Sequence, residues 1–340
     1  MTEVVTISGK QVLKRSDQDE KDGFSFLSIV ESVDKLSMDY FSDEHFLENV
    51  YSLKTHDGTQ IGFVLKCVIK EFLSCAKNEF DQVFRLLESD KALQFLSEDY
   101  DQRNCQLNQL ALQLREKSSF ECLKGWRNEF YTVFEKDKRK YVLVERAIAG
   151  LLGIVTYGVH INGFVKDRET GDLKFWVPRR SATKATWPSM LDNTIAGGLG
   201  HPHGIYETIF KEGMEEAHLP REIIQNYLVA VGAVTYFYFQ GDDKFTSESS
   251  LVTGEVEYLF DLQLPENVIP RPHDDEVESF QLLTLQEVVT SIRRLAFKPN
   301  CALVLVEFLI RHGFITAENE PNYLVILNRI HRNLPLPLMG

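Results

Sequence analysis

Residues 196–219 read A-G-G-L-G-H-P-H-G-I-Y-E-T-I-F-K-E-G-M-E-E-A-H-L, a glycine-rich loop running into an acidic helix. This stretch most limits what the chain can become. At 100° per residue, Tyr206, Phe210, Gly213, Met214 and Ala217 fall on one side of the helix. Glu212, Glu215 and Glu216 fall within an arc of about 100° on the other side. Like charges at i,i+3 and i,i+4 each destabilise an isolated helix by roughly 0.2–0.5 kcal/mol, so three stacked carboxylates oppose folding unless a cation removes the repulsion. Carboxylate oxygens are the donors that hard divalent cations take, and Mg²⁺ binds through a few carboxylates plus substrate phosphates rather than through a full protein cage. The helix therefore reads as half of a metal–diphosphate site. Its alternative is a solvated glutamate-rich face.

The spacing resembles the Nudix box, G-x5-E-x7-R-E-U-x-E-E-x-G-U with U apolar. Gly197 takes the first glycine, His203 the first glutamate, Lys211 and Glu212 the R-E pair, and Gly213 the apolar position. Glu215 and Glu216 are the paired glutamates, with His218 at the late glycine and Leu219 at the last apolar position. His203, Lys211, Gly213 and His218 depart from the pattern. The three glutamates that ligate metal in that family are all present. The resemblance continues through G-W-R-N-E-F-Y-T-V, V-E-R-A, T-Y-G-V-H-I-N-G-F-V, P-R-R-S-A-T-K-A-T-W-P-S-M-L-D-N-T-I-A-G-G and D-D-E-V-E-S-F. Together these look like a Nudix subfamily of fungi and plants related to the N-terminal half of thiamin pyrophosphokinase.

That resemblance implies an α+β protein: a Nudix α/β/α sandwich with a mixed sheet, preceded by a small family-specific α+β domain. It implies hydrolysis of damaged thiamin diphosphates, such as oxo- and oxythiamin diphosphate, to monophosphates, a metabolite-repair activity. Glu212, Glu215 and Glu216 would hold Mg²⁺ or Mn²⁺, and Glu215 or Glu276 would take the proton from the attacking water. Arg180 and Lys184 would contact the diphosphate, with Gly197 and Gly198 lining the substrate site. Trp126, Trp187 and Tyr131 are candidates to stack on a heterocycle, and His160 is either a core histidine or a ligand. Three rivals remain: another substrate, such as 8-oxo-dGTP or ADP-ribose; a diphosphate-binding module without turnover; and isomerisation of a prenyl diphosphate. The last needs a cysteine near the site, and none falls between Cys122 and Cys301.

The 340 residues, 44% apolar and 26% charged, suffice for two domains with sizeable cores. A formal charge of −13 argues against broad nucleic-acid binding. The partner expected is a small-molecule diphosphate. Five cysteines without a C-x-x-C pair indicate neither a disulfide framework nor a zinc site. The first residues lack the pattern of a signal or transit peptide, and no apolar run of about 18 residues would cross a bilayer. Cytoplasm is the expectation.

In chain order, residues 1–22 read as a flexible tail, 23–123 as the N-terminal α+β domain, 124–330 as the hydrolase domain and 331–340 as a C-terminal tail. Asp57-Gly58 marks a hairpin, F-D-Q-V-F-R-L-L a helix, and F-Y-T-V-F with Y-V-L-V-E-R a second hairpin. Residues 147–165 suggest a short helix followed by a buried strand. L-K-F-W-V-P-R-R is a strand delivering Arg179, Arg180 and Lys184 to the glycine loop, where guanidinium and ammonium groups suit phosphate oxygens. Two further strands flank G-D-D-K, and two helices close the fold, the second ending at Gly313.

Overall fold

The computed structural model describes residues 2–7 and 9–339. Where it is described, the stretch expected as a flexible tail is folded. Strands β1 (Glu3–Ile7) and β2 (Lys10–Lys14) pair antiparallel, and α1 (Asp17–Lys21) follows. Ser16 and Asp19 close the start of α1 as a reciprocal capping box. The charges that suggested solvation are used inside: Asp19 is fully buried and pairs with Arg293.

Next come α2 (Leu27–Val33), α3 (Glu44–Asn49) and the hairpin of β3 (Val50–Lys54) and β4 (Gln60–Leu65). Gly58 turns that hairpin at φ +91°, a conformation open to glycine. Helices α4 (Lys66–Cys75) and α5 (Lys77–Val83) follow. The expected helix through R-L-L stops at Val83, and Phe84–Leu87 forms β5, paired with β6 (Ala92–Phe95). Phe84 and Phe95 sit opposite each other with ring centroids 4.7 Å apart, so a cross-strand aromatic pair outweighs the helical spacing. The resulting sheet runs β4-β3-β6-β5. Helix α6 (Tyr100–Lys117), capped by Asp99, adds Leu107, Leu110, Ala111 and Leu114 to its core. Packing is continuous across residue 123, where Phe63 meets Phe237 edge-on at 5.7 Å.

Strands β7 (Phe130–Phe134) and β8 (Lys140–Glu145) form the expected hairpin. Helix α7 (Ala149–Leu152) then leads into the buried strand β9 (Val155–Lys166). The remaining elements are β10 (Leu173–Arg180), β11 (Ile195–Gly198), α8 (Ile205–Ala217), α9 (Arg221–Tyr227), β12 (Leu228–Tyr238), β13 (Thr253–Gln263) and β14 (Val277–Thr284). Helices α10 (Leu285–Arg293), α11 (Pro299–Arg311) and α12 (Tyr323–Ile330) complete the chain. The main sheet runs β12-β13-β9-β10-β14, with β11 paired to β9. It is mixed: β13 lies parallel to β9, whereas β10 and β11 are antiparallel to it.

Alternation along β9 divides the core. Val159 and Ile161 point with Ile195, Ile209 and Ile224 toward α8 and α9. Phe164 points with Phe175, Val289 and Phe308 toward α10 and α11 on the other face. The result is an α/β/α sandwich with a mixed sheet. Residues after 330, expected as a tail, are also anchored: Arg332, Leu334 and Leu336 are buried, and the Met339 amide donates to the Tyr157 hydroxyl at 2.9 Å. Among the described residues no helix is long and apolar enough to cross a membrane.

Candidate functional site

Helix α8 is set against β11 in a rotation that the apolar projection misses. Tyr206 is 55% exposed and Met214 37%, while Ile209, Gly213, Glu216 and Ala217 face inward. Two glycines explain the turn. A Cβ on Gly213 would stand 2.4 Å from Ile224 Cδ1, so α9 fills the space that an apolar box residue would take. A Cβ on Gly197 would stand 2.4 Å from Glu212 Cγ, so the Glu212 side chain lies directly on β11. The acidic arc is therefore turned into the protein rather than out to solvent.

Glu216 is 8% exposed, and its Oε2 accepts the Ala196 amide at 2.9 Å. Burial, with Asp192 and Glu212 nearby, pushes its carboxyl well above the usual range. Burial also raises Glu212, which Lys211 offsets only partly, and the charges of Glu215 and Glu276 add to the rise. Glu215 is half exposed. The Lys211 ammonium stands between the two, 3.2 Å from Glu212 Oε1 and 3.2 Å from Glu215 Oε2. Among the described residues no three His, Cys, Asp or Glu side chains are gathered closely enough to cage an ion. By donor type the helix nevertheless fits a hard divalent cation: the donors are all carboxylate oxygens, two of them buried against their own electrostatic interest, and a cation already sits beside them.

These glutamates edge a cleft of about 850 Å³. The expected metal, proton-accepting and diphosphate-contacting residues all line it: Arg180, Lys184, Gly197, Gly198, Glu212, Glu215, Glu216 and Glu276. Their roles differ from expectation in two places. Arg180 has no free face for phosphate, because its Nη1 pairs with Asp192 at 2.6 Å while Nε and Nη2 donate to the Trp187 and Thr186 carbonyls at 3.0 Å each. It holds the 186–192 loop. Lys184 pairs with Glu276 rather than standing open. Burial pushes Glu276 up, but Lys184, with Arg127 and Arg180 farther off, outweighs it and holds the carboxyl below its ordinary value.

Trp187 and Tyr131 line the cleft, whereas Trp126 lines a separate groove and stacks on Arg115 at 4.9 Å. Sequence spacing did not keep thiols away: Cys122 lines the cleft, and Cys301 lies behind it, 2.7 Å from Asp192. Burial pushes both thiols up, so neither is a ready nucleophile.

Two groups were not foreseen. Arg127 is exposed at the rim of the cleft. On the opposite floor, beside the His160 already singled out, stand Tyr236, Glu255, Glu257, Lys298 and Asn300. The signal was present in the E-V-E of β13, two carboxylates with strand spacing inside an otherwise apolar run, but it read as ordinary alternation. His160, expected as a core histidine or a ligand, is buried, bonded through Nδ1 to Asn193 Oδ1 at 2.7 Å, and at the edge of this floor.

A family model described as a domain of unknown function (DUF4743) matches residues 40–156. The uncharacterized protein YJR142W of Saccharomyces cerevisiae is 54% identical over 335 residues, 98% of each chain. Nudix hydrolase 20, chloroplastic, of Arabidopsis thaliana is 40% identical over 210 residues, 61% of this chain and 52% of the plant protein. The chain thus spans about half the length of that relative. Among solved structures, DR0079 of Deinococcus radiodurans aligns at 16% identity over 52% of this chain and 97% of its own, with a TM-score of 0.36. The chain belongs to one family with YJR142W, and over 210 residues it is similar to a plant Nudix hydrolase.

Proposed function

We propose that the chain is a divalent-metal-dependent diphosphatase whose substrates are damaged thiamin diphosphates, cleaved to the monophosphate and phosphate. The observation that carries the metal–diphosphate part is the buried, mutually repelling pair Glu212 and Glu216 in a cleft that Lys184 and Arg127 also line. The thiamin part rests on the sequence resemblance. Glu212, Glu215 and Glu216 would hold Mg²⁺ or Mn²⁺, which when bound neutralises phosphate charge and acidifies a water. Lys184 spends one of its three N–H donors on Glu276 and keeps two for phosphate oxygens. Arg127 offers its guanidinium at the rim. Glu276, held ionised by Lys184, accepts the proton of the attacking water, a step typically worth 10²–10⁴-fold. Arg180 acts at one remove by fixing residues 186–192, the segment that follows Lys184. Five unpaired thiols suit a reducing compartment such as the cytoplasm.

The test is phosphate release, with Mg²⁺ and with Mn²⁺, from oxythiamin diphosphate, thiamin diphosphate, 8-oxo-dGTP and ADP-ribose. Wild type should turn over the thiamin analogue fastest, and Glu216→Gln should lose two or more orders of magnitude. Faster turnover of a nucleotide would move the substrate and keep the chemistry. No turnover of any substrate would leave a binding module, with Lys211 as the permanent cation between Glu212 and Glu215.

A further inference from the structure

The cleft does not end at the α8 glutamates. Antiparallel pairing sets Gly198 opposite Gly158 and Ala196 opposite His160. On the other side of β9, the parallel strand β13 brings Glu257 beside Gly158 and Glu255 beside Thr156. Residues at these positions share one face of the sheet, the face away from Val159, Ile161 and α8. The cavity therefore passes the edge of β11 and continues onto a floor of charged groups.

One atom on that floor is unsatisfied. Glu257 is 7% exposed, and its Oε1 accepts the Asn300 amide at 3.4 Å and lies 3.3 Å from the Tyr236 hydroxyl, whose proton goes to Glu255 Oε2. Its Oε2 is buried and receives no hydrogen bond among the described residues. His160 Nε2 lies 3.6 Å away, within ion-pair range but too far for a hydrogen bond. Space is kept for this oxygen: a Cβ on Gly158 would stand 2.1 Å from it. A buried carboxylate oxygen that has an ion pair with His160 but no hydrogen bond, in a side chain that lines the cavity, is a place where a donor that reaches it gains more than it would in water.

We propose that Glu257 reads the non-phosphate end of the substrate, its Oε2 accepting a hydrogen bond from a ring N–H or amino group of a heterocycle whose diphosphate lies at α8. This rests on the diphosphatase reading and adds the group that selects the heterocycle. Glu255 and Glu257 supply the acceptors for a ring edge that donates, and the cationic His160 and Lys298 on the same floor stand beside them. Burial and the neighbouring Glu257 charge raise Glu255, whereas burial of Glu257 is outweighed by the charges around it, His160 first, which lower it, so the first proton taken up by the pair sits on Glu255 and Glu257 remains the acceptor.

The test compares two diphosphates of matched shape, 4-aminopyrimidin-5-ylmethyl diphosphate and benzyl diphosphate. Binding is measured by calorimetry with Ca²⁺ to slow turnover. Wild type should favour the aminopyrimidine at least tenfold. Glu257→Gln places a donor where the acceptor was and should abolish that preference. Glu257→Asp keeps the charge but withdraws the oxygen by one methylene, and should lose most of the preference too. Because the readout is a ratio, a general weakening of the cleft lowers both affinities and leaves it unmoved. A wild-type ratio near one, or a ratio that Gln and Asp leave intact, overturns the proposal even where hydrolysis is confirmed. A preference that depends on Glu257, without hydrolysis of any diphosphate, would overturn the enzymatic reading and retain this one.

Discussion

At the scale of single residues, Glu216 carries an electrostatic cost that can be measured. Its carboxyl ordinarily titrates at 4.5 and is raised in the fold by burial and by Asp192 and Glu212. Between 4.5 and the raised value, the native state holds a proton that the unfolded chain has lost, so this group's contribution falls as pH rises through that window. Glu216→Gln is neutral throughout. In metal-free buffer the variant should therefore gain stability relative to wild type as pH is raised from 4.5 toward neutrality, read as the difference in urea unfolding free energy. Parallel curves would mean that Glu216 ionises in the fold at no cost. Saturating Mg²⁺ should act in the opposite sense, stabilising wild type by about 2.7 kcal/mol at a hundredfold excess over Kd and doing less for the variant. Gly197 makes a second residue-scale test. The Cβ of Gly197→Ala would meet Glu212 Cγ at 2.4 Å, and displacing a carboxylate proposed to hold the metal by about 1 Å should cost turnover roughly 10²-fold. Retention of full activity would detach Glu212 from the chemistry.

The acidic helix shows at the scale of elements what a linear pattern can and cannot specify. Its existence and its three carboxylates were legible because charge spacing is local. Its rotation was not, because that depends on Gly197 and Gly213 being small where β11 and α9 press in. The same limit applies to R-L-L, where Phe84 prefers Phe95 across a strand pair that helical spacing cannot reveal. The end of α8 is testable on its own. His218, at the late glycine position of the box, adopts φ +52°, a left-handed conformation that disfavours any residue with a Cβ. His218→Gly should stabilise the protein by about 0.5–1 kcal/mol, the relieved strain being partly offset by the looser unfolded chain and the lost contact with His273 at 3.1 Å. The converse change, Gly213→Leu, restores the usual apolar box residue but overpacks against Ile224, and should destabilise by about 1–3 kcal/mol. Both are read as shifts of the urea midpoint at constant slope.

Across the whole molecule, the cleft and the closure of the fold depend on partners far apart in sequence, which explains why the two termini read as tails. Asp19 and Arg293 are unremarkable charges until the hairpin of β1 and β2 is laid beside α10. Glu255 and Glu257 read as strand alternation until β9 brings His160 alongside. The clearest case is Asp34, the residue that ends α2. It is fully buried, and its carboxylate accepts Arg332 Nη1 at 2.8 Å, Arg329 Nε at 3.0 Å and the Phe237 amide of β12 at 3.2 Å. One carboxylate thus ties residues near the start of the chain to the last helix and to the edge strand of the main sheet. Arg332 is itself buried, so Asp34→Ala would leave a guanidinium in the interior without its counter-charge, a loss of about 3–5 kcal/mol when one partner of a buried pair is removed. Asp34→Asn keeps the shape and an acceptor oxygen but not the charge. If the bond geometry rather than the charge holds the two ends together, Asn should recover at least half of the alanine loss in urea unfolding. If charge dominates, Asn should fall with Ala, and the deficit of both should persist in high salt, because a buried pair is screened far less than a surface one.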